Sequence, residues 1–163
     1  MSAPADPRLI LRDDELDSGL ELILLAEAGI WAAVDAALEA EPKGLGRSHW
    51  RAALLLRRRP AVGVQELARM TGLSKQAASR TLSDLEKAGY VHKTAGDLDA
   101  RRRTTELTSE GAAFESRVSE RLRAVVAKAY RTGGLDGVAG TRRILSALAG
   151  PRVSIGVRRS EAA

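Results

Sequence analysis

The side chains with chemistry to offer are gathered in one stretch of the chain, residues 74–103. Gln76, Arg80, Ser83 and Lys87 recur at steps that line one face of a helix, and Ser74, Lys75 and Ser79 extend that face. An arginine can hold guanine O6 and N7 with two hydrogen bonds, and a glutamine can do the same with adenine N6 and N7. Gln76 and Arg80, close to the helix N-terminus, are therefore candidates for reading base edges in a major groove. Lys93, Arg102 and Arg103 are candidates for phosphate contacts, which give salt-dependent affinity and register but no sequence preference. Catalysis has far less to work with. His49 and His92 are distant from each other, and neither has a His or Cys at ligand spacing. Gly44-x-Gly46 lacks the rest of a dinucleotide fingerprint, and neither a P-loop nor a nucleophile elbow is present. His49 beside Trp50 reads as a helix-surface residue. The expectation is a protein that is not an enzyme and needs neither metal nor cofactor.

The elements that must position these residues can be read on either side of them. Val64, Leu67 and Ala68 form an apolar face at helical spacing, and Gly72 ends that helix by taking the left-handed conformation without strain. Ser74 has the hydroxyl to cap a second helix, on which Ala78, Leu82 and Leu85 point inward, opposite the cationic face. Two short helices joined by a tight glycine turn make a helix-turn-helix. Residues 90–94 and 103–107 can then pair as strands around a loop holding Gly96, two aspartates and three arginines, which is a β-wing.

The flanks are helical and more apolar than a small domain needs. Leu16, Leu20, Leu24, Trp31, Val34 and Leu38 recur along residues 14–41, with Asp13, Asp14 and Glu15 at the positive end of the helix dipole and Pro42 ending it. Ser48 is predicted to cap a helix running to about Arg59, whose closing arginines 57–59 compensate the dipole and are not expected to touch DNA. Thr108 caps the next helix, striped by Phe114, Val118, Leu122, Val125 and Val126, and Gly133-Gly134 breaks it before a last segment from Leu135 to Leu148. These helices invite a second copy of the chain, so a homodimer is expected. The domain layout expected is a tail over residues 1–13, a body over 14–150 and a basic tail over 151–163. Within the body, dimerisation helices cover about 14–41 and 112–149, and the winged helix-turn-helix covers about 47–111.

Charge is distributed unevenly. The 163 residues carry +5 overall, yet residues 1–42 hold two basic against ten acidic side chains, and residues 43–107 hold 14 basic against six acidic. The positive field thus falls on the part suspected of meeting DNA. With no cysteine there is no disulfide, Cys-ligated zinc or thiol switch. No apolar run suits a bilayer or a signal peptide, so a cytoplasmic protein without membrane contact is expected.

Five short pieces in order resemble the MarR family of winged-helix transcriptional regulators. They are Leu73-Ser74, Ser79-Arg80, Leu85-Glu86-x-x-Gly89, Asp97-x-Asp99-x-Arg101 and Leu107-Thr108-x-x-Gly111, with Gly44-Leu45 and Trp50 where the family begins its second helix. Ala78 and Thr81 depart from the larger apolar residues of relatives. The resemblance implies a mainly α fold with a small β-wing, a winged helix-turn-helix domain flanked by N- and C-terminal dimerisation helices. It also implies a wing-tip arginine in the minor groove, Arg101, held by Asp99. It further implies a repressor of transcription that binds double-stranded DNA as a homodimer on a palindromic operator and is relieved by a small-molecule effector. Trp31, His49, Trp50 and Arg51 are the residues expected to border the effector cleft. Family members that sense peroxide through cysteine are excluded as models. Two other readings stay open: a sequence-independent, chromatin-type DNA binder, and a winged-helix module that binds protein.

Overall fold

A computed structural model describes residues 11–59, 62–96 and 99–150. Five helices and one hairpin follow in the order α1 (Asp13–Glu39), α2 (Arg47–Arg58), α3 (Val64–Thr71), α4 (Lys75–Lys87), β1 (Val91–Gly96), β2 (Asp99–Leu107) and α5 (Ser109–Ala149). Acidic residues occupy the first turn of α1, where Glu15 reaches back to accept the Arg12 backbone N–H at 3.0 Å. Only the last turns of α1 enter the core, through Val34, Ala37 and Leu38.

The start of α2 differs from the sequence expectation. Its cap lies at Gly46, two residues before Ser48, because the His49 ring turns back and its Nδ1 accepts the Gly46 N–H at 3.0 Å. An imidazole thus takes the place that a Glu or Gln fills in a capping box. Trp50, Ala52, Ala53 and Leu56 then face the core.

Between α3 and α4 the turn forms at Gly72, whose φ of 72° is left-handed and whose N–H donates to the Ala68 carbonyl at 2.9 Å. The Ser74 hydroxyl accepts the Ala77 N–H at 3.1 Å and so starts α4. Ala78, Thr81, Leu82 and Leu85 are all buried. The two positions where larger residues are usual are therefore well packed, since small side chains let α4 lie close against α2 and α3.

β1 and β2 pair antiparallel from Val91 opposite Leu107 to Ala95 opposite Arg103, with a bulge before Gly96 opposite Asp99. Val62 adds one bridge to Thr105, whose N–H it accepts at 3.2 Å. The hairpin leads straight into α5 through a tight joint. The Thr108 hydroxyl accepts the Gly111 N–H at 3.0 Å and donates to the Gly89 carbonyl at 2.7 Å. A Cβ on Gly111 would come 1.9 Å from the Tyr90 carbonyl oxygen, so this position must be glycine. Tyr90 stacks on Phe114 with ring centroids 4.8 Å apart.

The single core is formed by α2, α3, α4, the base of the hairpin, the end of α1 and the beginning of α5. Beyond Leu122, α5 leaves it. Gly134 has φ 64° and ψ −175°, which kinks the element between two helical segments. Leu16, Leu20 and Leu24 on α1 and Ile144, Leu145 and Leu148 on α5 are exposed. Among the described residues no helix is long and apolar enough to cross a membrane.

Candidate nucleic-acid interface

Because Ala78, Leu82 and Leu85 fix α4 to the core, its opposite face is set by helical geometry. Ser74, Lys75, Gln76, Ser79, Arg80 and Lys87 are exposed and Ser83 is half-buried. The face begins at the helix N-terminus, where the dipole favours anions such as phosphate. The structure therefore places on one helix the six α4 residues singled out from sequence, together with its cap Ser74.

Two electrostatic details could not be read from spacing. Arg80 and Asp84 are four residues apart, which suggests a local ion pair, but none joins them among the described residues. Asp84 instead faces His49 of α2, with Oδ2 3.5 Å from Nε2. Lys93 of β1 is paired with Glu86 of α4, so its ammonium already has a carboxylate partner. The backbones of Asp99, Arg101, Arg102 and Arg103 belong to β2. Their side chains, and Asp97 altogether, lie outside what the structure describes.

Of the four residues assigned to an effector cleft, Trp31 lies on α1 and His49, Trp50 and Arg51 lie on α2. Trp50 is buried and its indole N–H donates to Ser119 Oγ at 3.1 Å. Arg51 donates to the Thr71 carbonyl at 2.6 Å and so caps α3. His49 caps α2 and faces Asp84. Trp31 borders an open hollow of ≈ 460 Å³, where Leu24, Glu27, Ala28, Asp35 and Arg47 are its neighbours. Its ring meets Trp50 edge to face at 6.4 Å and lies under the guanidinium groups of Arg47 and Arg51. Arg47 is tied to Asp35 by two hydrogen bonds of 2.7 and 2.5 Å, and this contact holds the Asp35 carboxyl below its ordinary range.

The sequence reading missed the polar joints between helices. Glu115, on α5, is almost fully buried; it accepts from Ser119 and has Arg57 Nη1 3.0 Å from its other oxygen. That oxygen is not aligned for a hydrogen bond, so the contact is chiefly charge attraction. Arg57 also donates to the Ala112 carbonyl at 3.2 Å, which gives it a specific partner in place of simple dipole compensation. Glu41 and Arg117 form a second joint, with two bonds of 2.9 and 2.7 Å between α5 and the segment that follows α1. The one sequence signal for Glu115 is a carboxylate next to Phe114 within an apolar stripe.

Comparison with known proteins gives this geometry a family. A model of the MarR family matches residues 43–102, which span α2 to the wing. The HTH-type transcriptional regulator PetP of Rhodobacter capsulatus is 36% identical over 143 residues, covering 88% of this chain and 85% of that one. Among solved structures, CouR from Rhodococcus jostii RHA1, bound to p-coumaroyl-CoA, superposes with a TM-score of 0.68 at 25% identity. That match covers 80% of this chain and 90% of CouR. The Mycobacterium tuberculosis MarR family protein Rv2887, in complex with DNA, gives 0.60 at 27% identity, covering 78% and 94%. With a relative this similar along most of both chains, and a winged helix-turn-helix at its centre, the chain belongs to the MarR family of transcriptional regulators.

Proposed function

We propose that the protein is a sequence-specific DNA-binding repressor that acts in the cytoplasm as a homodimer on a palindromic operator and is relieved by a small molecule. The observation that carries this reading is the exposed face of α4, where Gln76 and Arg80 follow the helix N-terminus with Lys75, Ser79 and Lys87 around them. A convex helix with side chains that can each make two hydrogen bonds to a base edge fits a major groove. The complex of Rv2887 with DNA supports this use of the fold. Arg101, oriented by Asp99, takes the minor groove, and Arg102 and Arg103 join Lys93 on phosphates.

The exposed leucines of α1 and the distal half of α5 support the homodimer, because apolar surface on that scale is costly in water. A two-fold axis then sets two α4 helices on half-sites roughly 34–36 Å apart. Effector control is supported by CouR, whose structure holds p-coumaroyl-CoA. The hollow beside Trp31, with its Arg47 and Asp35, is the effector site proposed for this chain.

The test is selection of DNA by the purified protein from a random pool, followed by sequencing. A palindromic consensus of two half-sites is expected. A pool that stays random would reject sequence-specific repression and leave a chromatin-type binder, while no retained DNA at all would point to a protein-binding module.

A further inference from the structure

We propose that His49 is a positioning residue for DNA reading: its imidazole holds the Asp84 carboxylate to α2, so that Arg80 stays open for a base contact. This rests on the reading of α4 as the recognition helix. Residues i and i+4 of a helix are neighbours, and an arginine followed by an aspartate at that spacing can close into an ion pair. Such a pair would occupy the guanidinium edge that a guanine needs. In this protein Asp84 lies at the boundary between the exposed and buried faces of α4, and its side chain is only about a third exposed (36%). His49, with a side chain 17% exposed, is the group it faces.

The geometry also fixes which ring nitrogen does the holding. Nδ1 accepts the Gly46 N–H at 3.0 Å, so it cannot carry a proton there. In the neutral ring the proton is then on Nε2, and Nε2 is the atom 3.5 Å from Asp84 Oδ2. That distance is long for a hydrogen bond, and the attraction is mostly between a carboxylate and the positive end of the imidazole dipole. The ring cannot swing toward solvent without releasing the α2 cap, and Trp50, the next residue, anchors α2 in the core. One side chain therefore caps α2 and sets the charge pattern of α4.

Two substitutions separate these tasks. In His49→Gln the side-chain oxygen can cap Gly46 and the amide can donate to Asp84. In His49→Glu the carboxylate can cap equally well, but it repels Asp84 and drives it toward Arg80. Each variant is titrated with the selected operator and with operators substituted at the base pair where Arg80→Ala loses discrimination. His49→Gln should keep the wild-type discrimination. His49→Glu should lose about tenfold at that base pair, and adding Asp84→Asn should restore it. An equal loss on every operator, or no rescue by Asp84→Asn, would overturn the proposal. The ring tautomer of His49, read from its nitrogen-15 shifts in the DNA-free protein, is an independent check that also needs no variant. A proton on Nε2 supports the holding role; a proton on Nδ1 overturns it even if α4 reads DNA. Should Arg80→Ala instead weaken all operators alike, the base-reading role of Arg80 fails and this proposal falls with it, whatever the tautomer.

Discussion

Gln76 and Arg80 are one helical turn apart on the exposed side of α4, and each side chain has the chemistry to pair with a base edge by two hydrogen bonds. Lys93 is different in kind, because a lysine is a point charge and its present partner is Glu86. These differences should appear as different binding signatures. Gln76→Ala and Arg80→Ala are expected to relax preference at particular operator positions, each by about 1–3 kcal/mol. Lys93→Ala should weaken every sequence alike and lower the salt slope by roughly one. Titrating the variants against single-base operator substitutions at two salt concentrations distinguishes the two patterns. Arg80→Ala losing affinity evenly across the panel would reduce Arg80 to a phosphate contact.

At the scale of elements, two joints carry the winged module on the long helices. The first is the crossing of the α4–β1 turn with the start of α5, where Gly111 lies against the Tyr90 backbone. A backbone carbonyl cannot give way as a flexible side chain can, so Gly111→Ala should destabilise the fold by about 2–3 kcal/mol. Urea unfolding followed by circular dichroism measures this, and an unchanged midpoint would contradict the close approach. The second joint ties the segment just after α1 to α5 through Glu41 and Arg117. The hydrogen bonds from Arg117 hold the Glu41 carboxyl below the 4.5 of a free glutamate, against the opposing effect of burial. A depressed carboxylate pKa stabilises the fold above the unfolded value, and that contribution is lost as pH falls through the folded one. Glu41→Gln should therefore cost about 1 kcal/mol at pH 7. The difference from wild type should shrink below pH 4.5. A gap that stays constant into acid would mean that the carboxylate charge contributes nothing.

For the whole molecule, the uneven burial of the two long helices is the feature that bears on assembly. Val34, Ala37, Phe114 and Val118 are in the core, whereas Leu16, Leu20, Leu145 and Leu148 on the same helices are exposed. We expect multi-angle light scattering to give a mass of two chains at micromolar concentration. Asp introduced at both Leu20 and Leu145 should give monomer or insoluble protein, since a charge in an apolar contact is costly. A wild-type mass of one chain would remove the homodimer and, with it, the two-fold argument for a palindromic operator.

Elements with local causes were legible in the residues alone. Gly72 turns because it lacks a Cβ, Ser74 caps because its hydroxyl reaches three residues on, and the apolar period of α4 fixes which side faces out. The double glycine at 133–134 likewise marked the kink now seen at Gly134. The α2 cap was misread because spacing favours a hydroxyl at Ser48, whereas a ring at His49 fills the same role in space. Contacts between distant residues were decided only by tertiary structure. His49 with Asp84, Arg57 with Glu115 and Glu41 with Arg117 are separated by 35, 58 and 76 residues. No periodicity links such positions, so a charge can be counted in the sequence while its partner is chosen by packing. The surroundings of the residues expected at an effector cleft show the same division. Spacing does not reveal that Trp50 is buried with its indole N–H on Ser119, or that Arg51 is set on the end of α3. Local chemistry names which residues can act, and the close packing of helices from far along the chain determines which of them are left free to do so.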